Sequence, residues 1–109
     1  MPKKAAVAAP VLDVDLILKA LANPVRRDIL CWLKSPHLYF AMQDHPLDLG
    51  VCAGLIDQRT GLSQSTVSAH LATLEKTGLI AQKRLGQWKF FRRDELVIQA
   101  FLDHMHHGL

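Results

Sequence analysis

The chain has 109 residues, half of them apolar and 21% charged, so it is long enough for one folded domain and too apolar to be disordered. Its formal net charge is +3, and no apolar run approaches the 18 or so residues that span a bilayer. Two cysteines, Cys31 and Cys52, are too few for a disulfide scaffold, and a cytoplasmic protein is expected.

The charge is concentrated. Residues 59–93 hold seven basic groups (Arg59, Lys76, Lys83, Arg84, Lys89, Arg92, Arg93) against one acid, Glu75, a local net of +6; the rest of the chain is net −3. A basic stretch in an otherwise acidic chain points to a polyanionic partner there.

Residues 1–10, with two lysines and a short apolar stretch closed by Pro10, predict a flexible arm, leaving 11–109 as the folded domain. Residues 11–21 have helical spacing with apolar residues on most sides: Val14, Leu18 and Leu21 on one, Leu12 and Leu16 on another. Such a helix has two things to bury against, the second being another subunit. Asn23-Pro24 is a cap and first-turn signal for a helix to about residue 34, with Val25, Ile29, Leu30, Trp32 and Leu33 on one face. Residues 35–49 keep no period and contain two prolines, which predicts a long surface link. A short helix is expected over about 49–59, with Asp48 its cap; Gly54 inside it predicts close packing by a neighbour.

Thr60-Gly61-Leu62 is a tight turn, and Ser63 caps a helix running to about residue 76. Two helices joined by a three-residue turn containing glycine are a helix-turn-helix. Two strands follow, 79–84 and 87–93, around Leu85-Gly86. Asp94 caps a last helix to about 107, with Val97, Ile98, Phe101, Leu102 and Met105 along one stripe. The predicted fold is mainly α with a two-stranded β wing, in the order ααααββα: a winged helix-turn-helix.

In the helix over 63–76, Val67, Leu71 and Leu74 cluster and face the core. The opposite face carries Gln64, Ser65, Ser68, Ala69 and Ala72, small or amide-bearing residues suited to a major groove. Candidate DNA contacts are Gln64, Ser65, Thr66, Ser68 and His70 on this helix, with Arg84, Gln87 and Lys89 on the hairpin. Lys83, Arg92 and Arg93 are further candidate phosphate contacts, whereas Trp88, Phe90 and Phe91 are expected to pack the wing to the body. Cys31 lies off the core face near Arg27 and Lys34, which favours a reactive thiolate. Cys31 and Cys52 are the candidate redox thiols. His37, His45 and Cys52 are a candidate loop-built metal set.

The segments Leu18-Lys19-Ala20-Leu21-Ala22-Asn23-Pro24-Val25-Arg26-Arg27-Asp28-Ile29-Leu30 and Gly61-Leu62-Ser63-Gln64-Ser65-Thr66-Val67-Ser68-Ala69-His70-Leu71 resemble the signatures of the ArsR/SmtB family of bacterial winged-helix repressors. Glu75-Lys76-Thr77-Gly78-Leu79-Ile80 and Arg84-Leu85-Gly86-Gln87-Trp88 resemble that family's first strand and wing. The resemblance spans about residues 12–102. It implies a homodimer through helices 11–21 and 94–107, and repression by occupying operator DNA, relieved by a small inducer.

The chain departs from the family pattern in several places. Position 69, often basic in the family, is Ala69. Of the family's paired cysteines in the third helix, Cys52 matches the first and Gly54 stands at the second. Of its last-helix zinc ligands, Asp94 and His107 match and Leu96 replaces a histidine, so no metal site and no cofactor are expected. Cys31 resembles one cysteine of the family's redox sensors, whose last-helix partner is missing here. No catalytic constellation is present, so an enzyme is not expected. The rival reading is a winged-helix protein-interaction module without a specific DNA target.

Overall fold

The computed structural model describes residues 10–109, so the expected arm lies almost wholly outside the described residues. Helix α1 spans Val14–Leu21, α2 Pro24–Lys34 and α3 Pro36–Tyr39. A 3-10 turn, Leu47–Leu49, leads into strand β1, Val51–Cys52. Helices α4 (Ala53–Thr60) and α5 (Gln64–Lys76) follow, then β2 (Ile80–Leu85), β3 (Trp88–Arg93) and α6 (Glu95–Gly108). Helices α1, α2, α5 and α6 start on side-chain caps. The carboxylate or amide oxygens of Asp13, Asn23 and Asp94 and the hydroxyl of Ser63 each accept a first-turn N–H.

The winged helix-turn-helix architecture is the one expected, with two differences. The link over 35–49 is partly helical: Pro36 opens the single turn α3 and Phe40 is fully buried beneath it. The next helix starts at Ala53, not near 49, because Val51 and Cys52 pair antiparallel with Phe91 and Phe90. The sheet is therefore three-stranded, in the order β1-β3-β2, with the β2–β3 hairpin projecting as the wing. Asp48 accordingly caps no helix; Cys52 stands at the cap position of α4 and supplies no side-chain bond.

The close-packed glycine is Gly50, not Gly54. At φ 107° Gly50 lies against the Phe91 backbone, where an added Cβ would sit 2.8 Å from the carbonyl oxygen. At Gly54 a Cβ would meet nothing within 4 Å. One side chain holds the link beside β1. The Gln43 amide donates to the carbonyls of His45 (3.1 Å) and Gly50 (3.0 Å), and its oxygen accepts the Cys52 N–H (2.8 Å).

The core gathers Ile17, Ile29, Leu33, Phe40, Val51, Ile56, Val67, Leu71, Leu74, Leu79, Ile80, Phe91 and Phe101. In α1 the buried pair is Ile17 and Ala20, while Leu18 is 45% exposed. Val14 and Leu21 reach the core only in part. The α6 stripe divides likewise: Phe101 is buried, Val97, Ile98 and Met105 are half-buried, and Leu102 is 51% exposed.

Both guanidinia at the start of α2 close the open end of α1. Arg26 Nε donates to Ala20 O (2.7 Å), Arg26 Nη2 to Lys19 O (3.3 Å), and Arg27 Nη1 to Leu21 O (2.6 Å). Lys19 O also accepts the Ala22 N–H (3.3 Å), whereas Ala20 O and Leu21 O stand at the open end of the helix, and cations there also suit the helix dipole.

Candidate nucleic-acid interface

Helix α5 is presented by the turn before it. Gly61 adopts the left-handed conformation at φ 71°, and its N–H donates to Asp57 O, ending α4. Ser63 then starts α5: its Oγ accepts the Thr66 N–H at 3.2 Å and donates to Thr66 Oγ1 at 2.8 Å. Val67, Leu71 and Leu74 are buried, so the helix is fixed on its core face. Gln64, Ser65, Thr66, Ser68, Ala69 and Ala72 are all exposed, as the spacing predicts. The free N–H groups of the first turn lie on the same end, where the helix dipole favours a phosphate.

The hairpin register brings one of its cations, Lys89, to this helix. Arg84 pairs with Lys89 and Gln82 with Phe91, so these four share one face of the sheet. A groove of about 140 Å³ lies between that face and α5, lined by Ser68, Ala72, Glu75, Gln82 and Lys89 among others. Arg84, Gln87 and Lys89 are exposed. Phe90 and Phe91 are buried as expected, whereas Trp88 is 43% exposed and leans on the His45 ring, 5.0 Å between centroids.

Two cations of the basic stretch are occupied within the protein. Arg93 forms a two-pronged ion pair with Glu95 (2.9 and 3.0 Å) and donates to Leu30 O on α2 (3.3 Å). Its side chain is only 12% exposed, so the expectation of a phosphate contact there is replaced by a structural one. Arg59 stacks over Tyr39 and Trp32, 4.6 and 5.2 Å from the ring centroids. Lys83, on the hairpin face opposite Arg84, and Arg92 remain exposed.

His70 stands apart from the other candidates on α5. It is half-buried, and its Nδ1 lies 3.1 Å from Arg26 Nη1 of α2. Burial, and after it the adjacent guanidinium, hold this imidazole below its ordinary pKa. The link joins residues 44 apart in sequence, which no local pattern reveals.

Both cysteines are free: Cys31 is exposed on α2, and Cys52 is half-buried at the start of α4. His45 and Cys52 line one cavity of about 270 Å³ with Met42, Asp44 and Trp88, while His37 does not. Among the described residues no three His, Cys, Asp or Glu side chains are grouped to hold a metal, and no helix is long and apolar enough to cross a membrane.

A helix-turn-helix whose second helix has an exposed polar face, followed by a basic hairpin, defines a transcriptional regulator of the winged helix-turn-helix class. Residues 52–82 match the family described as bacterial regulatory protein, arsR family. The chain is 38% identical to the uncharacterized HTH-type transcriptional regulator YbzH of Bacillus subtilis over 90 residues, 80% of this chain and 89% of the relative. It is 32% identical to the transcriptional activator HlyU of Vibrio cholerae over 91 residues, 84% and 72% of the two chains.

The solved structure of Vibrio cholerae HlyU superposes with a TM-score of 0.58 at 31% identity, covering 87% of this chain and 91% of that one. A homodimeric winged helix-turn-helix DNA-binding domain from Mycobacterium bovis gives 0.60 at 28% identity, covering 87% and 77%. The chain belongs to the ArsR family of bacterial transcriptional regulators and is not an enzyme.

Proposed function

We propose that this chain is a homodimeric, sequence-specific DNA-binding repressor. Helix α5 lies in the major groove of operator DNA, with Gln64, Ser65, Thr66 and Ser68 toward base edges and phosphates. Arg84, Gln87 and Lys89 of the hairpin hold the flanking backbone. The observation that carries this reading is the convergence of the exposed face of α5 at Ser68 and Ala72 with the hairpin face bearing Lys89, the strand partner of Arg84.

Dimerisation runs through the helices over 11–21 and 94–107. It is supported by Leu18, Leu96 (70% exposed) and Leu102, large apolar side chains that the described residues leave exposed on α1 and α6. The Mycobacterium bovis domain is itself a homodimer. Promoter occupancy blocks transcription, and a small inducer relieves it; the exposed Cys31 thiol is the more accessible of the two candidate redox thiols.

The test is fluorescence anisotropy of reduced protein on a duplex from its own upstream region against a scrambled duplex, over a salt series. Tight, salt-dependent binding to the first at two chains per site supports the reading. Ser68→Ala or Gln64→Ala then costs about 1–3 kcal/mol on the operator and much less on scrambled DNA. Equal losses on both would refute base readout at those positions.

A further inference from the structure

We propose that Arg26 fixes His70 as the tautomer carrying its proton on Nε2, making His70 an uncharged hydrogen-bond donor to a DNA phosphate at the edge of α5. The inference deepens the DNA-binding reading and rests on it. A guanidinium has only donors, so the 3.1 Å contact between Arg26 Nη1 and His70 Nδ1 makes Nδ1 the acceptor. The neutral ring then carries its one proton on Nε2. Arg26 is itself held rigidly, because its Nε and Nη2 donate to Ala20 O and Lys19 O.

Among the described residues Nε2 has no hydrogen-bond partner, yet no side-chain nitrogen or oxygen there is both buried and unpartnered. Nε2 is therefore open to solvent, on the helix whose neighbouring exposed face carries Ser68, Ala69 and Ala72. Position 69 is Ala69 and offers no donor, so His70 one residue on adds a contact to the phosphate backbone beyond those of the first turn of α5. Burial and Arg26 both disfavour the protonated ring, so the contact is made without a charge. Arg26 is a positioning residue in this scheme, since it acts through His70.

Two amide substitutions separate the ring's two nitrogens. His70→Asn keeps an acceptor where Nδ1 stood and removes the outer donor. His70→Gln places an amide N–H near the Nε2 position and gives up the Arg26 contact. In the anisotropy assay above, H70N is expected to bind both the upstream and the scrambled duplex roughly a hundredfold more weakly, as for one lost hydrogen bond to a charged group in each of the two subunits. H70Q is expected to bind within about threefold of wild type. The salt slope stays that of wild type in both, because an uncharged donor displaces no counterion.

Nitrogen-15 NMR of the full chain without DNA reads the tautomer directly, and the Nε2–H form is expected. A dominant Nδ1–H form, or H70N binding as wild type, would overturn the proposal. If wild type binds neither duplex, the phosphate contact and the DNA-binding reading fall together. If wild type binds and H70N is unaffected, only the contact falls.

Discussion

Lys89 and Arg93 lie four residues apart on the same strand, and the structure gives them opposite fates. Lys89 is exposed, faces α5 and lines the groove between helix and hairpin. Arg93 is bound by both prongs to Glu95 and to the end of α2. Lys89→Gln should therefore remove one phosphate contact per subunit, or two per dimer. Each neutralised phosphate contributes about 0.9 to the slope of log affinity against log salt, so the slope should fall by about 1.8. Between 50 and 200 mM salt, a fourfold change, the variant should lose about 12-fold less affinity than wild type. Arg93→Gln should leave the slope unaltered, because its charge is already matched within the protein. The assay is anisotropy of each variant on the upstream duplex across that range. An equal change in slope for both variants, or none for Lys89→Gln, would refute the assignment of these cations.

Gly50→Ala should destabilise the fold by more than about 2 kcal/mol, since a Cβ there meets Phe91 O at 2.8 Å and φ is 107°; urea unfolding measures it. Gln43→Ala strips three hydrogen bonds from the 43–52 segment and should cost about 1–3 kcal/mol, with faster hydrogen exchange at the Cys52 amide as the local sign. His70 has its pKa lowered in the folded state from 6.5, so the unfolded chain takes up the proton first. Its contribution to stability is thus complete above 6.5 and is lost as pH falls through that value toward the folded pKa. Wild type should lose stability relative to His70→Asn from about pH 7 to pH 5 in denaturant titrations; parallel curves would contradict the shift.

The parts legible in the sequence were those written in local chemistry. Asn23, Ser63 and Asp94 cap helices because an oxygen near the first turn needs only its own neighbours. Gly61 ends α4 for the same local reason, and the spacing of Val67, Leu71 and Leu74 set which side of α5 stays exposed. What escaped was non-local. The two-residue strand β1 exists only because Phe90 and Phe91 lie beside it, some 40 residues away. The core face of α1 could not be chosen from its period, since an evenly apolar helix offers several; Ile17 and Ala20 won where α2 and α5 close over them. The count of charges over 59–93 could not say that Arg93 and Arg59 are spent on Glu95 and on aromatic rings.

The Gln43 side chain has a consequence for how this protein behaves in company. The groups it engages on the strand, Gly50 O and Cys52 N, stand two residues apart on the side of β1 away from β3. A primary amide donating to one and accepting from the other does what a peptide unit of a fourth strand would do. The β1 border of the sheet is thereby closed by a side chain, which holds two of the groups that an added strand would need there. Strand-to-strand stacking at β1 would first have to displace that amide, so this border of the sheet is guarded by a residue that lies outside it.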